Sequence, residues 1–150
     1  MPDNKQPRRT RKPATDNTFV HVQPQATEIE KTVLGALMID KDAYSVVCEL
    51  LYPESFYEPR NQKIYEAIRE LELREKPVDV WTVTEQLAHQ GDLEGVGGPG
   101  YVTELSSRVS SSASIEYHAR IIAQKFLARQ LISYASVIET KAFDETIDVE

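Results

Sequence analysis

Residues Ala113–Ala142 read ASIEYHARIIAQKFLARQLISYASVIETKA, thirty positions without proline or glycine. Ile115, Ala119, Ile122 and Phe126 recur at helical spacing, and Leu131, Ile132, Ala135, Ile138 and Ala142 continue the pattern. Glu116 stands four residues before Arg120, the favoured order for an ion pair on a helix surface. A helix of about 28 residues is about 42 Å long, whereas a globule of roughly 100 residues has a radius of gyration near 13 Å. The spacing therefore predicts a helix that projects beyond its own domain. Leu131, Ile132, Tyr134, Val137 and Ile138 would then meet water unless another helix or another chain covers them, and exposed apolar stripes mark interaction surfaces. The competing reading, in which the helix folds back or breaks near Arg129-Gln130, finds no breaker residue there.

Upstream, the pattern is helical nearly throughout. Thr27 followed by Glu30 fits a capping box, with Ile29, Val33 and Leu37 as the apolar face of a helix over about 28–39. Ala43, Val46, Val47, Leu50 and Leu51 form a second pattern that stops at Tyr52-Pro53, because a residue before proline is pushed out of helical geometry. Ile64, Tyr65, Ile68 and Leu71 form a third that ends before Lys76-Pro77. Asp79 is the expected N-cap of a fourth, with Val80, Val83 and Leu87 inward and Gly91 just past its end. Val78–Val83 also alternates like a strand, but no second strand of comparable strength exists to pair with it. The expected fold is all-α: a small multi-helix bundle followed by one long projecting helix, the first arm of a helical hairpin.

Five of the six glycines fall in one window, Gly91 to Gly100, and Gly95, Gly97 and Gly100 match G-x-G-x-x-G. A phosphate-binding loop of that kind needs a preceding strand, and the mononucleotide type also needs a Lys-Ser/Thr pair after the glycines. Here Tyr101-Val102 follows, and Asp92 and Glu94 would repel an anion. The window reads as a tight connection from which Tyr101, Val102 and Leu105 start another short helix against the fourth.

Charge divides the chain. Residues 1 to 18 hold five basic and two acidic side chains, while the remainder holds 12 basic and 22 acidic ones, a balance of −10. Pro2, Pro7 and Pro13, with almost no apolar residue before Phe19, predict a disordered basic tail over 1–24. The bundle head is expected over 25–108, and the long helix with the start of a hairpin or linker over 109–150. No apolar run is long enough to span a bilayer and no secretory signal opens the chain, so a cytoplasmic protein without membrane association is expected. Cys48, the single cysteine, sits among Val46, Val47, Leu50 and Leu51 and reads as a core position.

Catalytic constellations do not assemble. His21, His89 and His118 lack partners at metal-ligand spacing, and the serines between Ser106 and Ser114 lack a nucleophile-elbow pattern. Glu66, Glu70, Glu72 and Glu75 read as a solvated face. Neither catalytic residues nor cofactor or metal ligands are expected in this chain.

Several segments together resemble the N-terminal domain of bacterial replicative DNA helicases of the DnaB type. Pro24-Gln25-Ala26-Thr27-Glu28-Ile29-Glu30, followed by Val33-Leu34-Gly35-Ala36-Leu37-Met38, is similar to that family's opening helix, with Ile29 where a small residue is usual. Asp79, Thr82, Leu87, Gly91, Leu93, Val96-Gly97-Gly98, Tyr101 and Leu105 match its middle signature in order and spacing. Ile115, Ala119, Ile121 and Arg129 fit the start of its long helix, with His118 where an aromatic is common. The resemblance covers about residues 24 to 144.

The resemblance implies a collar: a helical bundle and hairpin that pairs with a neighbour, six subunits forming a ring of three dimers, and a docking place for primase. A helicase loader is a further possible partner, and DNA is reached only through the parent protein. ATP, magnesium and 5′-to-3′ unwinding belong to a C-terminal P-loop domain absent from this chain. By position in the long helix, Ile122, Phe126, Arg129, Leu131, Ile132, Ala135 and Ile138 are the expected dimer or primase contacts. The alternative is a stand-alone helical module that binds protein or nucleic acid. For nucleic acid the acidic body lacks the basic face that counterion release requires.

Overall fold

Seven α-helices and one 3-10 turn follow one another along residues 22–146, the part of the chain that the structure, a computed structural model, describes. They are α1 (Thr27–Ile39), α2 (Ala43–Val47), the 3-10 turn (Pro53–Ser55), α3 (Pro59–Leu73), α4 (Val80–Gln90), α5 (Leu93–Val96), α6 (Gly98–Ser107) and α7 (Ile115–Ala142). No strand occurs among the described residues. The expected basic tail lies almost wholly outside them.

Local chemistry fixes most of the helix ends. Pro59 opens α3, where its fixed φ suits the first turn and its missing N–H costs nothing. At α4 the Asp79 carboxylate accepts from the Thr82 amide at 2.9 Å, and the Thr82 hydroxyl faces the Asp79 amide at the same distance. Gly91 ends that helix at φ 78°, a left-handed conformation that glycine adopts without strain. The alternating Val78–Val83 segment is thus the start of a helix. The clustered glycines act through the backbone. Gly97 and Gly98, at φ 109° and 74°, turn the chain from α5 into α6. The four-residue α5 was not foreseen from the spacing.

The core is made by Leu34 and Leu37 of α1, Phe56, Tyr65 and Ile68 around α3, Val83 and Leu87 of α4, and Val102 and Leu105 of α6. Gly35 lets α1 and α6 approach closely, since a Cβ there would lie 2.1 Å from the Leu105 carbonyl oxygen. The first part of α7 closes this core with Ile115, Ala119 and Ile122, all 5% exposed or less. The head therefore extends past residue 108 into α7. Two polar ties hold the connector to α1: Arg108 pairs with Glu28, and the Ser112 hydroxyl bonds to the Asp40 carboxylate.

Two local expectations are corrected. Thr27 is the first residue of α1 and makes no side-chain cap; Glu30 is 1% exposed and is used elsewhere, by groups far along the chain that the local motif does not include. Cys48 is only partly buried, its thiol meeting the Ser45 carbonyl at 3.6 Å, because α2 is a single short turn with Val46 on its outer side.

Candidate interaction surface

Helix α7 runs unbroken for 28 residues, with no fold-back or break at Arg129-Gln130. Its environment changes along its length. Ile115, Ala119 and Ile122 are buried against the head, and Glu116 pairs with Arg120 on the solvent side at 2.8 Å. From Leu131 to Ala142 every residue is exposed. Leu131 is 59% exposed, Ile132 45%, Tyr134 61%, Val137 49% and Ile138 67%.

The change occurs at Arg129. Its guanidinium donates to the Pro24 carbonyl at 2.8 Å and to the Ser55 carbonyl at 2.9 Å. It also lies 5.4 Å from the Tyr57 ring centroid and 5.7 Å from that of Phe126, within cation–π range. Burial pulls the guanidinium pKa down, and the Glu30 carboxylate and the Tyr57 phenol oppose that shift.

Glu30 itself anchors a buried network. It accepts from the Tyr57 amide at 2.7 Å, the Glu58 amide at 3.3 Å and the Asn61 side-chain amide at 3.1 Å. Tyr101 completes the chain of bonds by donating to Asn61 Oδ1 at 2.7 Å. A buried carboxylate is costly unless its lone pairs are filled, and here three donors fill them. The network fixes the α1–α3 corner on which Arg129 closes.

These placements divide the residues singled out from the sequence. Ile122, 1% exposed, belongs to the core of its own head and presents no surface to a partner, which corrects its assignment as a contact. Arg129 is likewise engaged within the chain, and Phe126 is half-buried beside it. Leu131, Ile132, Ala135 and Ile138 lie together on the exposed length of α7. Glu30, Asn61 and Gly35 were not read as partners of distant groups.

Of known families, the one described as the DnaB-like helicase N terminal domain matches residues 22–124. The chain belongs to that family. It is 45% identical over 127 residues to the replicative DNA helicase DnaB of Rhodothermus marinus, which covers 85% of this chain and 13% of that protein. With the replicative DNA helicase DnaC of Bacillus subtilis (strain 168) it shares 39% over 136 residues, 91% of this chain and 30% of that protein. The chain thus spans less than a third of the length of these curated DnaB-type relatives.

Solved structures agree in fold. The N-terminal domain of DnaB helicase from Mycobacterium tuberculosis superposes with a TM-score of 0.79 at 37% identity, covering 85% of this chain and 90% of that one. A DnaB-like replicative helicase, described together with its interactions with primase, superposes with a TM-score of 0.65 at 29% identity, covering 75% of this chain and 26% of that one. The expected all-α fold is that of the DnaB N-terminal domain. No described helix is long and apolar enough to cross a membrane.

Proposed function

We propose that this chain is the N-terminal assembly and primase-docking domain of a hexameric replicative DNA helicase, a collar of three dimers. One observation carries the reading: the distal part of α7 exposes Leu131, Ile132, Val137 and Ile138, with no other described residue covering them. Pairing with the same helix of a neighbouring copy buries this stripe, and Ala135 gives a second backbone room to approach. In this reading the ATP- and magnesium-dependent unwinding activity resides in another part of a cytoplasmic parent protein. A relative's structure, described together with its interactions with primase, supports a primase-docking role for this domain.

Magnitudes set what to expect of the isolated chain. Each large side chain on the stripe gains about 1 kcal/mol when its remaining exposed area is covered, so two copies gain about 8 kcal/mol before the cost of association. That cost is about 4–15 kcal/mol. Self-association of this chain is therefore weak, with a dissociation constant of about 1 mM or above.

Sedimentation equilibrium across a wide concentration range, with and without the C-terminal domain of the cognate primase, tests the assignment. Association that disappears in the Ile132→Asp, Ile138→Asp double variant, with helicity unchanged, is the expected result. If the double variant keeps both self-association and primase binding, the assignment fails.

A further inference from the structure

Helix α7 carries two rows of side chains with different chemistry. Ile115, Ala119, Ile122, Phe126 and Arg129 follow one another at alternating four- and three-residue steps and form the row that meets the head. The same steps continue through Ser133, Ser136 and Thr140, so the row turns from apolar to hydroxyl-bearing where the head ends. Leu127, Leu131, Tyr134 and Ile138 form a second row, each two residues from a member of the first, which is about 200° around a helix at about 100° per residue. The exposed apolar row thus faces away from the head, and the hydroxyl row lies on the head's side. Ile132 and Val137, 45% and 49% exposed, flank the hydroxyl row, one on each edge.

Helices α1 and α7 pack antiparallel. Asp40, just past the end of α1, meets Ser112 before the start of α7, and the Pro24 carbonyl, before the start of α1, meets Arg129. Traced backward from Thr27, the chain therefore leaves α1 toward the outer half of α7 on the head's side, along the line of the hydroxyl row. Val22, the first described residue, is 70% exposed at this exit.

Thr18-Phe19-Val20-His21 comes next in this direction, preceded by Arg8, Arg9, Arg11 and Lys12. The helix rises about 17 Å from Arg129 to Thr140, and an extended chain covers that in about five residues, which brings Phe19 and Val20 level with Val137 and Thr140. The basic residues then reach past the end of the helix, where Asp144 and Glu145 follow Ala142. Residues 1 to 18 hold five basic and two acidic side chains, so the charges are complementary. A second helix is a poorer occupant of this face, because a helix–helix seam calls for apolar residues at the positions that Ser133, Ser136 and Thr140 hold. Hydroxyls suit an extended chain, whose peptide N–H and C=O groups they can bond.

We infer that residues 8–22 of this chain dock on the head-side face of the outer half of α7, with Phe19 and Val20 between Ile132 and Val137 and the basic residues against Asp144 and Glu145. The tether holds the segment at an effective concentration of about 1 mM or more, so contacts too weak for a free peptide suffice. Leu131 and Ile138, on the opposite face, stay available to a neighbouring copy, so the docking neither needs nor prevents assembly.

The intact chain with Cys48→Ser and Asn17→Cys carries one nitroxide, at residue 17, and the methyl signals of α7 report its proximity. At about 50 μM, well below the millimolar range in which copies associate, the Ile132 and Val137 methyls are expected to broaden at least about twofold more than those of Leu131 and Ile138. Raising the ionic strength from about 0.1 M to about 1 M, which cuts the screening length from about 10 Å to about 3 Å, weakens the effect. Val137→Ser weakens it roughly threefold through lost apolar contact and, at an exposed position, leaves the fold intact. Equal broadening on both faces, none on either, or insensitivity to salt or to Val137→Ser overturns the docking. So does broadening that appears in a mixture of nitroxide-bearing chains with isotope-labelled chains that lack the nitroxide, which assigns the face to the segment of a second copy.

Discussion

The Arg129 guanidinium donates to the carbonyl oxygen of Ser55 across 74 residues of sequence, and this bond marks where α7 leaves its head. Ser55 is 1% exposed, so its carbonyl has few alternative partners. Arg129→Ala leaves that acceptor and the Pro24 carbonyl without their donor. A loss of about 2 kcal/mol is expected, given about 1.5–3 kcal/mol for a hydrogen bond to a charged group and the partial exposure of the arginine. Urea denaturation measures it, and faster amide exchange in the middle turns of α7, around Arg129, locates it. Arg129→Lys, which cannot make both bonds in the same fork, recovers only part of the stability.

Thr27 and Glu30 give a paired test, because the local motif and the folded structure assign them different work. Glu30→Gln turns an acceptor into a donor facing amide groups and is expected to cost about 1–3 kcal/mol. Thr27→Ala removes no cap and is expected to stay within about 0.5 kcal/mol of wild type. A capping box would instead make Thr27→Ala cost about 1 kcal/mol. Chemical denaturation of the two variants side by side separates these accounts.

Gly35→Ala is expected to be among the most damaging single-methyl additions to the head. Its Cβ would meet the Leu105 carbonyl at 2.1 Å and Val109 Cγ2 at 2.8 Å, and the first of these is backbone that cannot swing aside. Separation of α1 from α6 costs about 3 kcal/mol, at the upper end for overpacking. The midpoint of thermal unfolding reads the effect; a variant as stable as wild type would show that the two helices part without loss.

Burial pushes the Tyr101 phenol up to about 12, an effect larger than the opposing pull of Arg60. A tyrosine whose pKa is higher when folded stabilises the protein fully below its unfolded value of about 10, and that contribution is lost as pH rises through the folded value. Stability is therefore expected to fall between about pH 10 and pH 12. Tyr101→Phe lowers stability at neutral pH, since Asn61 Oδ1 loses its donor, and flattens this alkaline fall. Denaturant midpoints at pH 8, 10 and 11 test both halves.

Much of the fold was legible because its signals are local. Asp79 and Gly91 bracket α4 by their own chemistry, and the apolar periods of α1, α3 and α7 identify their buried faces. The interaction surface was legible only as a stripe. Ile122 and Ile132 occupy the same kind of helical pattern, and nothing in their neighbours says that one lies under the head and the other beyond it. That division depends on where α1, α2 and the 3-10 turn end in space. Glu30 was misread for a related reason: its partners lie 27 to 31 residues away, and a motif read over four residues had already given it another role. Gly35 leaves no periodic trace, because its importance rests on a carbonyl 70 residues further along the chain.

The unbroken α7 behaves as a lever with its pivot at Arg129. The 13 residues from there to Ala142 make an arm of about 20 Å. A tilt of about 10° at the pivot displaces the tip by about 3.5 Å, close to a van der Waals contact distance, from a movement near Ser55 of well under 1 Å. Small adjustments of packing around the Glu30 corner are thus magnified into the registration or separation of whatever lies along the outer half of the helix.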